Sequence, residues 1–154
     1  MTRIVCDKVE VHVYRMRDRQ PEFLVLHRAP GQGIDDTWHA IYGTVEPGET
    51  GPQAALRELR EETALHPKVF YQLDTVNTFY VAAEDAIYHN RVFVAQVELD
   101  VALQLNHEHD DFEWLSPEAA KERFLWPGQR RGIEEIMTEI VADRPSRKFL
   151  EIPL

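Results

Sequence analysis

Cysteine is almost absent from this 154-residue chain. Cys6 stands alone, so no internal disulfide can brace the fold, and with no Cys or His motif beside it the thiol reads as a small, inert, partly buried residue. Long apolar runs are missing as well. No stretch approaches the roughly 18 residues of a membrane span, and the start Met1-Thr2-Arg3-Ile4-Val5-Cys6 lacks the apolar core of a secretion signal. The expectation is a cytoplasmic protein without a membrane partner. Cations are scarce beside anions: 17 Lys and Arg face 27 Asp and Glu, a formal net charge of -10. General nucleic-acid binding needs a basic footprint that releases counterions, so that class is disfavoured. A phosphorylated small molecule is not, because a bound cation reverses the local field. No internal repeat, low-complexity tract or composition shift marks a linker. Residues 1–154 therefore read as one domain with a continuous core, working as a monomer or homodimer.

Periodicity supplies the elements. Val9 to Tyr14 alternates as a half-buried strand, Glu22 to Arg28 reads as its neighbour, and Arg15 to Pro21 is the polar turn between them. Ala29 to Thr37 is loop, and Trp38 to Gly43 is a short extended run. Further on, Lys68 to Val81 and Ile87 to Leu99 carry the Val, Phe and Tyr of long strands, separated by a polar break. Asp111 to Leu115 forms a last strand, and Ser116-Pro117 caps a short helix reaching about Phe124. Ile133, Ile136, Met137 and Ile140 recur at helical spacing, so Gln129 to Ala142 closes the chain as a helix. Strands, a helix, more strands and terminal helices make an α+β or mixed-sheet sandwich.

The richest segment is Gly43 to Leu65, GTVEPGETGPQAALRELREETAL. Glu46-Pro47-Gly48-Glu49 has the residues of a type II turn, with Pro at the first central position and Gly at the second. Thr50 can cap the helix that follows, Pro52 sits in its first turn, and Gln53 completes a capping box. At roughly 100° per residue, Glu58, Glu61 and Glu62 fall within an arc of about 100°, next to an apolar arc of Ala55, Leu56, Leu59 and Thr63. An acidic face left in solvent is the plain reading of such a patch. The sharper one is a metal site: three carboxylates repel one another unless a cation lies among them, and Mg²⁺ or Mn²⁺ prefers oxygen ligands and keeps positions for substrate phosphates. Arg57, beside Glu61 on the wheel, can orient a carboxylate through a forked hydrogen bond.

The full spacing runs Gly43, five residues, Glu49, seven residues, Arg57-Glu58, an aliphatic, any residue, then Glu61-Glu62. It resembles the box of the Nudix (MutT-like) hydrolases, which act on nucleoside diphosphates linked to another moiety. Ala64 is the one departure, standing where the family has Gly. The resemblance implies the αβα Nudix fold, a mixed β-sheet between α-helices. It also implies a divalent cation, Mg²⁺ or Mn²⁺, held by Glu58, Glu62 and the Gly43 carbonyl, with Arg57 and Glu49 keeping those ligands oriented.

Outside the box, Glu108 within Asn106-His107-Glu108-His109-Asp110 resembles the extra carboxylate of the branch containing bacterial dihydroneopterin triphosphate and dATP pyrophosphohydrolases, and of dinucleoside tetraphosphate hydrolases. A solvated loop is the other reading of that segment. Leu26-His27-Arg28, Trp38, Gly51 to Ala55, and Trp126 followed by Gln129-Arg130 carry the likeness to the first group further. By this analogy Arg28 contacts a phosphate and Gln129 joins the substrate site, whereas a strand-end surface arginine is the plain alternative for Arg28. Trp38, Tyr42, Phe79 and Tyr80 are candidates to stack a base or pterin ring, or are core aromatics. Glu61 is the candidate to position or deprotonate the attacking water.

The expected function is a metal-dependent pyrophosphohydrolase that cleaves a nucleoside or pterin triphosphate to the monophosphate and pyrophosphate. The alternatives are a dinucleoside polyphosphate hydrolase and a noncatalytic ligand-binding Nudix module.

Overall fold

A computed structural model describes all residues 1–154. Nine strands form one sheet: β1 (Arg3–Val5), β2 (Lys8–Arg17), β3 (Gln20–Arg28), β4 (Trp38–His39), β5 (Ile41–Thr44), β6 (Val69–Val81), β7 (Ala86–Gln96), β8 (His109–Leu115) and β9 (Glu151–Ile152). Helix α1 (Gly51–Thr63) lies on one face; α2 (Pro117–Arg123), α3 (Pro127–Glu135), a π-helical segment (Ile136–Val141) and α4 (Arg147–Leu150) belong to the other side. No helix is long and apolar enough to cross a membrane.

The period-two alternation of β2 makes the two layers. Val9, Val11 and Val13 join Leu24, Leu26, Ile41, Phe70 and Phe93 in a core closed by Ala54, Ala55 and Leu59 of α1. Tyr14, from the opposite set, packs with Phe23, Val25, Tyr71 and Val94 beneath Ala120, Phe124, Ile133, Ile136 and Ile140. Strands β2 and β7 run parallel, and the remaining neighbours of β2 and β3 are antiparallel, so the sheet is mixed as expected.

One topological detail positions the site. After Tyr14 pairs with Phe23 the partners of β2 and β3 diverge. Into the gap runs the segment 38–44, with β4 paired to β3 and β5 paired to β2. Along it, His39, Ile41 and Gly43 turn to the α1 side, whereas Trp38, Ala40 and Tyr42 turn to the other side.

Several boundaries differ from the sequence pattern. The expected turn from Arg15 to Pro21 shrinks to Asp18 and Arg19, both at positive φ (48° and 64°), with Arg17 paired to Gln20. Two central residues at positive φ match the right-handed twist of the flanking strands; without an Asn-Gly or Asp-Gly pair the sequence shows the turn but not how tight it is. Strand β8 starts at His109, two residues before the expected Asp111, because it pairs with Arg28 across a bulge. The closing helix starts at Pro127 and widens after Glu135 into π geometry, with Ala142 N–H bonded to the Met137 carbonyl. That wider turn leaves Ile136 and Ile140 both fully buried. Cys6, expected partly buried, is exposed.

Candidate active site

The loop before α1 is built as its residues demand. Glu49 N–H donates to the Glu46 carbonyl at 3.0 Å, with Gly48 at φ 88°, closing the turn. Gln53 N–H donates to the Thr50 hydroxyl while the Gln53 side chain accepts from Thr50 N–H at 2.8 Å, so the capping box forms in both directions. At the other end Ala64 takes the left-handed conformation, φ 59° and ψ 12°, and its N–H bonds to the Arg60 carbonyl. The helix therefore stops where a glycine would stop it.

Arg57 is the hub. Its guanidinium forks onto Glu49 at 2.8 and 3.0 Å, reaches Glu58 at 2.9 Å and Glu61 at 3.2 Å, and donates to the Thr44 carbonyl at 2.8 Å. This charge and its hydrogen bonds hold the Glu49 carboxyl down at about 2, and the acidic partners raise Arg57 above its ordinary value. The result is a loop, a strand end and two helical carboxylates fixed to one rigid cation.

The three box glutamates differ in environment. Glu61 keeps 53% of its side chain exposed. Glu58 is half-buried, and burial raises its carboxyl against the opposing pull of Arg57. Its space comes from Gly43: a Cβ there would overlap the Glu58 carboxyl group. Glu62 is 1% exposed. Burial pushes it up to about 7, against the pull of His109 and with the push of the Glu108 and Glu58 charges.

Chain folding brings Glu108 in from 46 positions downstream of Glu62. The last carbonyls of α1 have no partner within the helix, and this loop supplies them: Gln104 N–H donates to Thr63 O at 3.0 Å and Asn106 N–H to Glu62 O at 3.2 Å. On its other side Ala29 N–H donates to Glu108 O at 2.9 Å. Glu108, Glu62 and His109 then offer ligand atoms that all lie within 4.8 Å of one another. His109 Nε2 stands 2.7 Å from Glu62 Oε2 and Arg28 Nη1 3.4 Å from Glu108 Oε2. Glu62 and Glu108 converging beside His109 fit a divalent cation, and Glu58, in the space that Gly43 leaves, adds a third carboxylate from the same helix as Glu62.

The proposed substrate residues fall on both sides of the sheet. Arg28 lies on the α1 side beside Glu108, also holding the Gly33 and Gln32 carbonyls. Tyr42 lies on the other side, across from Glu10 in register. Gln129, on α3, is buried with its Oε1 unpartnered. Trp38 packs against His27 and under the guanidinium of Arg123, and Tyr80, on the β6–β7 hairpin, donates to Asp85. Sequence reading passed over His39, which burial and the nearby Arg28 and His109 push down to about 4. It also passed over Glu10 and His12, taken as the solvent side of an alternating strand but 2% and 1% exposed. A carboxylate and an imidazole set among valines were the available signal.

The NUDIX domain family matches residues 7–136. The chain belongs to the Nudix family. It is similar to the dihydroneopterin triphosphate diphosphatase of Escherichia coli K12, 32% identical over 115 residues, covering 66% of this chain and 75% of that protein. A Myxococcus xanthus octanoyltransferase is 32% identical over 128 residues, 82% of this chain, although the chain matches only 35% of that relative's length. Among solved structures, a C. elegans Ap4A hydrolase binary complex superposes with a TM-score of 0.74 at 23% identity, covering 91% of this chain and 99% of that one, which shows the shared Nudix fold.

Proposed function

We propose that residues 1–154 act as one Nudix unit, a divalent-metal-dependent pyrophosphohydrolase that cleaves a nucleoside or pterin triphosphate to the monophosphate and pyrophosphate. The observation that carries this reading is the convergence of Glu62 and Glu108 beside His109, with Glu58 of the same helix as Glu62 seated against Gly43 and Arg57 binding the loop to the helix. In this reading those carboxylates and the Gly43 carbonyl hold Mg²⁺, or Mn²⁺ in its place. A bound divalent cation would neutralise the phosphoryl oxygens. Arg57 and Glu49 keep the ligands in orientation. Arg28, its guanidinium at the edge of the cluster, receives a phosphate. Glu61 is the most solvent-open of the three box carboxylates yet is tethered by Arg57; it orients or deprotonates the attacking water, in line with the leaving group.

A second reading, hydrolysis of dinucleoside polyphosphates, is favoured by the likeness to the Ap4A hydrolase structure. Incubation with Mg²⁺ and a panel of nucleoside triphosphates, dihydroneopterin triphosphate and dinucleoside polyphosphates separates the two by product. Pyrophosphate released from a triphosphate supports the first reading. A nucleoside triphosphate released from a dinucleotide supports the second. No turnover of any member rejects both and leaves a ligand-binding module.

A further inference from the structure

The sheet face opposite α1 carries a buried polar patch for which the phosphate chemistry has no use. Glu10 and Asn90 are 2% and 1% exposed. Glu10 Oε1 bonds to His12 Nε2 at 2.9 Å, and Glu10 Oε2 accepts from Asn77 Nδ2 at 3.1 Å. A carboxylate has about four lone-pair sites, so both oxygens retain acceptor capacity. Asn90 is stranger still: neither its Nδ2 nor its Oδ1 makes a close hydrogen bond, and the one group that interacts with it is the Tyr42 hydroxyl at the rim. Buried polar side chains are rarely left so weakly partnered, and an amide in that state calls for a ligand or an ordered water.

Register places these groups together. Asn90 pairs with Asn77, and Glu10 lies between Tyr42 on one side and Val92 on the other, two residues along the strand from Asn90. Helix α3 closes one end, where a Cβ on Gly128 would overlap Asn77 and one on Gly132 would crowd His12. At the other end Phe79 and Tyr88 stack 5.3 Å apart. Tyr42, Phe79 and Trp126 are each partly exposed around the patch. Tyr42 also directly precedes Gly43, so the patch lies one residue along β5 from the carboxylate cluster on the reverse side.

We infer that Glu10 and Asn90 are specificity residues that read a heterocycle with a 2-amino-lactam edge, the edge shared by guanine and the pterins. This rests on the triphosphate reading above and narrows its substrate. The free capacity of Glu10 accepts two adjacent N–H groups, the ring N–H and the exocyclic amine. Asn90 Nδ2 donates to the neighbouring carbonyl oxygen. Adenine sets an unprotonated ring nitrogen beside its amine, and that lone pair faces the carboxylate without a proton between them. The aromatic rim, with Tyr42 turning aside to admit the ring, supplies the stacking surface.

Binding and turnover are measured separately, so that the two ideas fail separately. Without divalent ions, titrate the protein with GMP, IMP and AMP; IMP keeps the lactam but lacks the 2-amino group. The expected result is GMP binding about tenfold or more tighter than IMP, with AMP weakest. In Glu10→Gln the GMP-to-IMP ratio falls to within about threefold, because an amide cannot accept from both N–H groups. Asn90→Leu, a second variant should Glu10→Gln not fold, weakens GMP and IMP together relative to AMP. Equal affinities in the wild type, or unchanged ratios in both variants as expected if Asn90 merely holds a structural water, overturn the inference. A retained GMP preference with no triphosphate turnover under Mg²⁺ sinks the triphosphate reading and leaves the ring-reading role of Glu10 and Asn90 standing.

Discussion

Gly43→Ala is the sharpest perturbation of the carboxylate cluster. Gly43 is buried in β5, paired with Val9, and its backbone is not in the left-handed region, so the substitution adds no conformational strain. Its cost is steric. The new methyl would overlap Glu58, whose carboxylate cannot drift freely because Arg57 Nη1 holds it at 2.9 Å and Thr44 N–H at 3.4 Å. Overfilling a packed site typically costs about 1–3 kcal/mol. For a chain of this length that corresponds to a fall in Tm of roughly 2–12 °C. Displacing a ligand group by about 1 Å costs on the order of 100-fold in rate. Thermal melts and initial rates of pyrophosphate release measure the two effects. Shortening the neighbour should separate them: Glu58→Asp in the Gly43→Ala background recovers Tm because the carboxylate withdraws, but activity stays low because it no longer reaches its place. A Gly43→Ala protein with wild-type rate would refute the reasoning and remove Glu58 from the site.

Ala64→Gly removes the left-handed cost of an L-residue, about 1–2 kcal/mol, and adds back about 0.4–1 kcal/mol of unfolded-chain freedom. A small net stabilisation should appear in urea melts, and a loss would contradict the cap geometry. Glu62 sits at about 7 against an ordinary 4.5, so between those values the folded chain binds a proton that the unfolded chain does not. Metal-free stability therefore declines as pH rises through that window. Glu62→Gln should flatten that decline in melts recorded with a chelator, and an unaltered slope would show that Glu62 does not cause it. Arg57→Lys keeps the charge but loses the fork that joins Glu49, Glu58 and Glu61; turnover should fall by about tenfold or more, and Lys activity equal to wild type would mean that charge alone suffices.

The box and its helix were legible because local rules determine them. A Pro-Gly turn, a Thr cap answered by Gln53 and a helical spacing of carboxylates each act within a few residues. Even the departure at Ala64 changed nothing in the helix boundary, since tertiary packing around Leu59 and Leu65 outweighs one unfavourable φ. What stayed hidden was decided by distant partners. Strand β1 exists through its pairing with β7, and β9 through its pairing with β6; too few residues are involved to leave a pattern. The burial of Glu10 and His12 depends on α3 arriving from more than a hundred residues away, so alternation alone assigned them to solvent. His109 was read as loop for the same reason: its place in β8 depends on Arg28.

The segment 38–44, wedged where β2 and β3 part, bears on how a protein of this kind can change over generations. Odd-numbered positions along it serve one face and even-numbered positions the other. A substitution at Tyr42 can therefore alter which ring is welcomed without disturbing Gly43 and the carboxylate behind it, and the reverse also holds. An insertion of one residue there would invert every assignment at once, aiming a large side chain at Glu58. Point changes along this strand are thus an open route to new substrates, whereas length changes are closed.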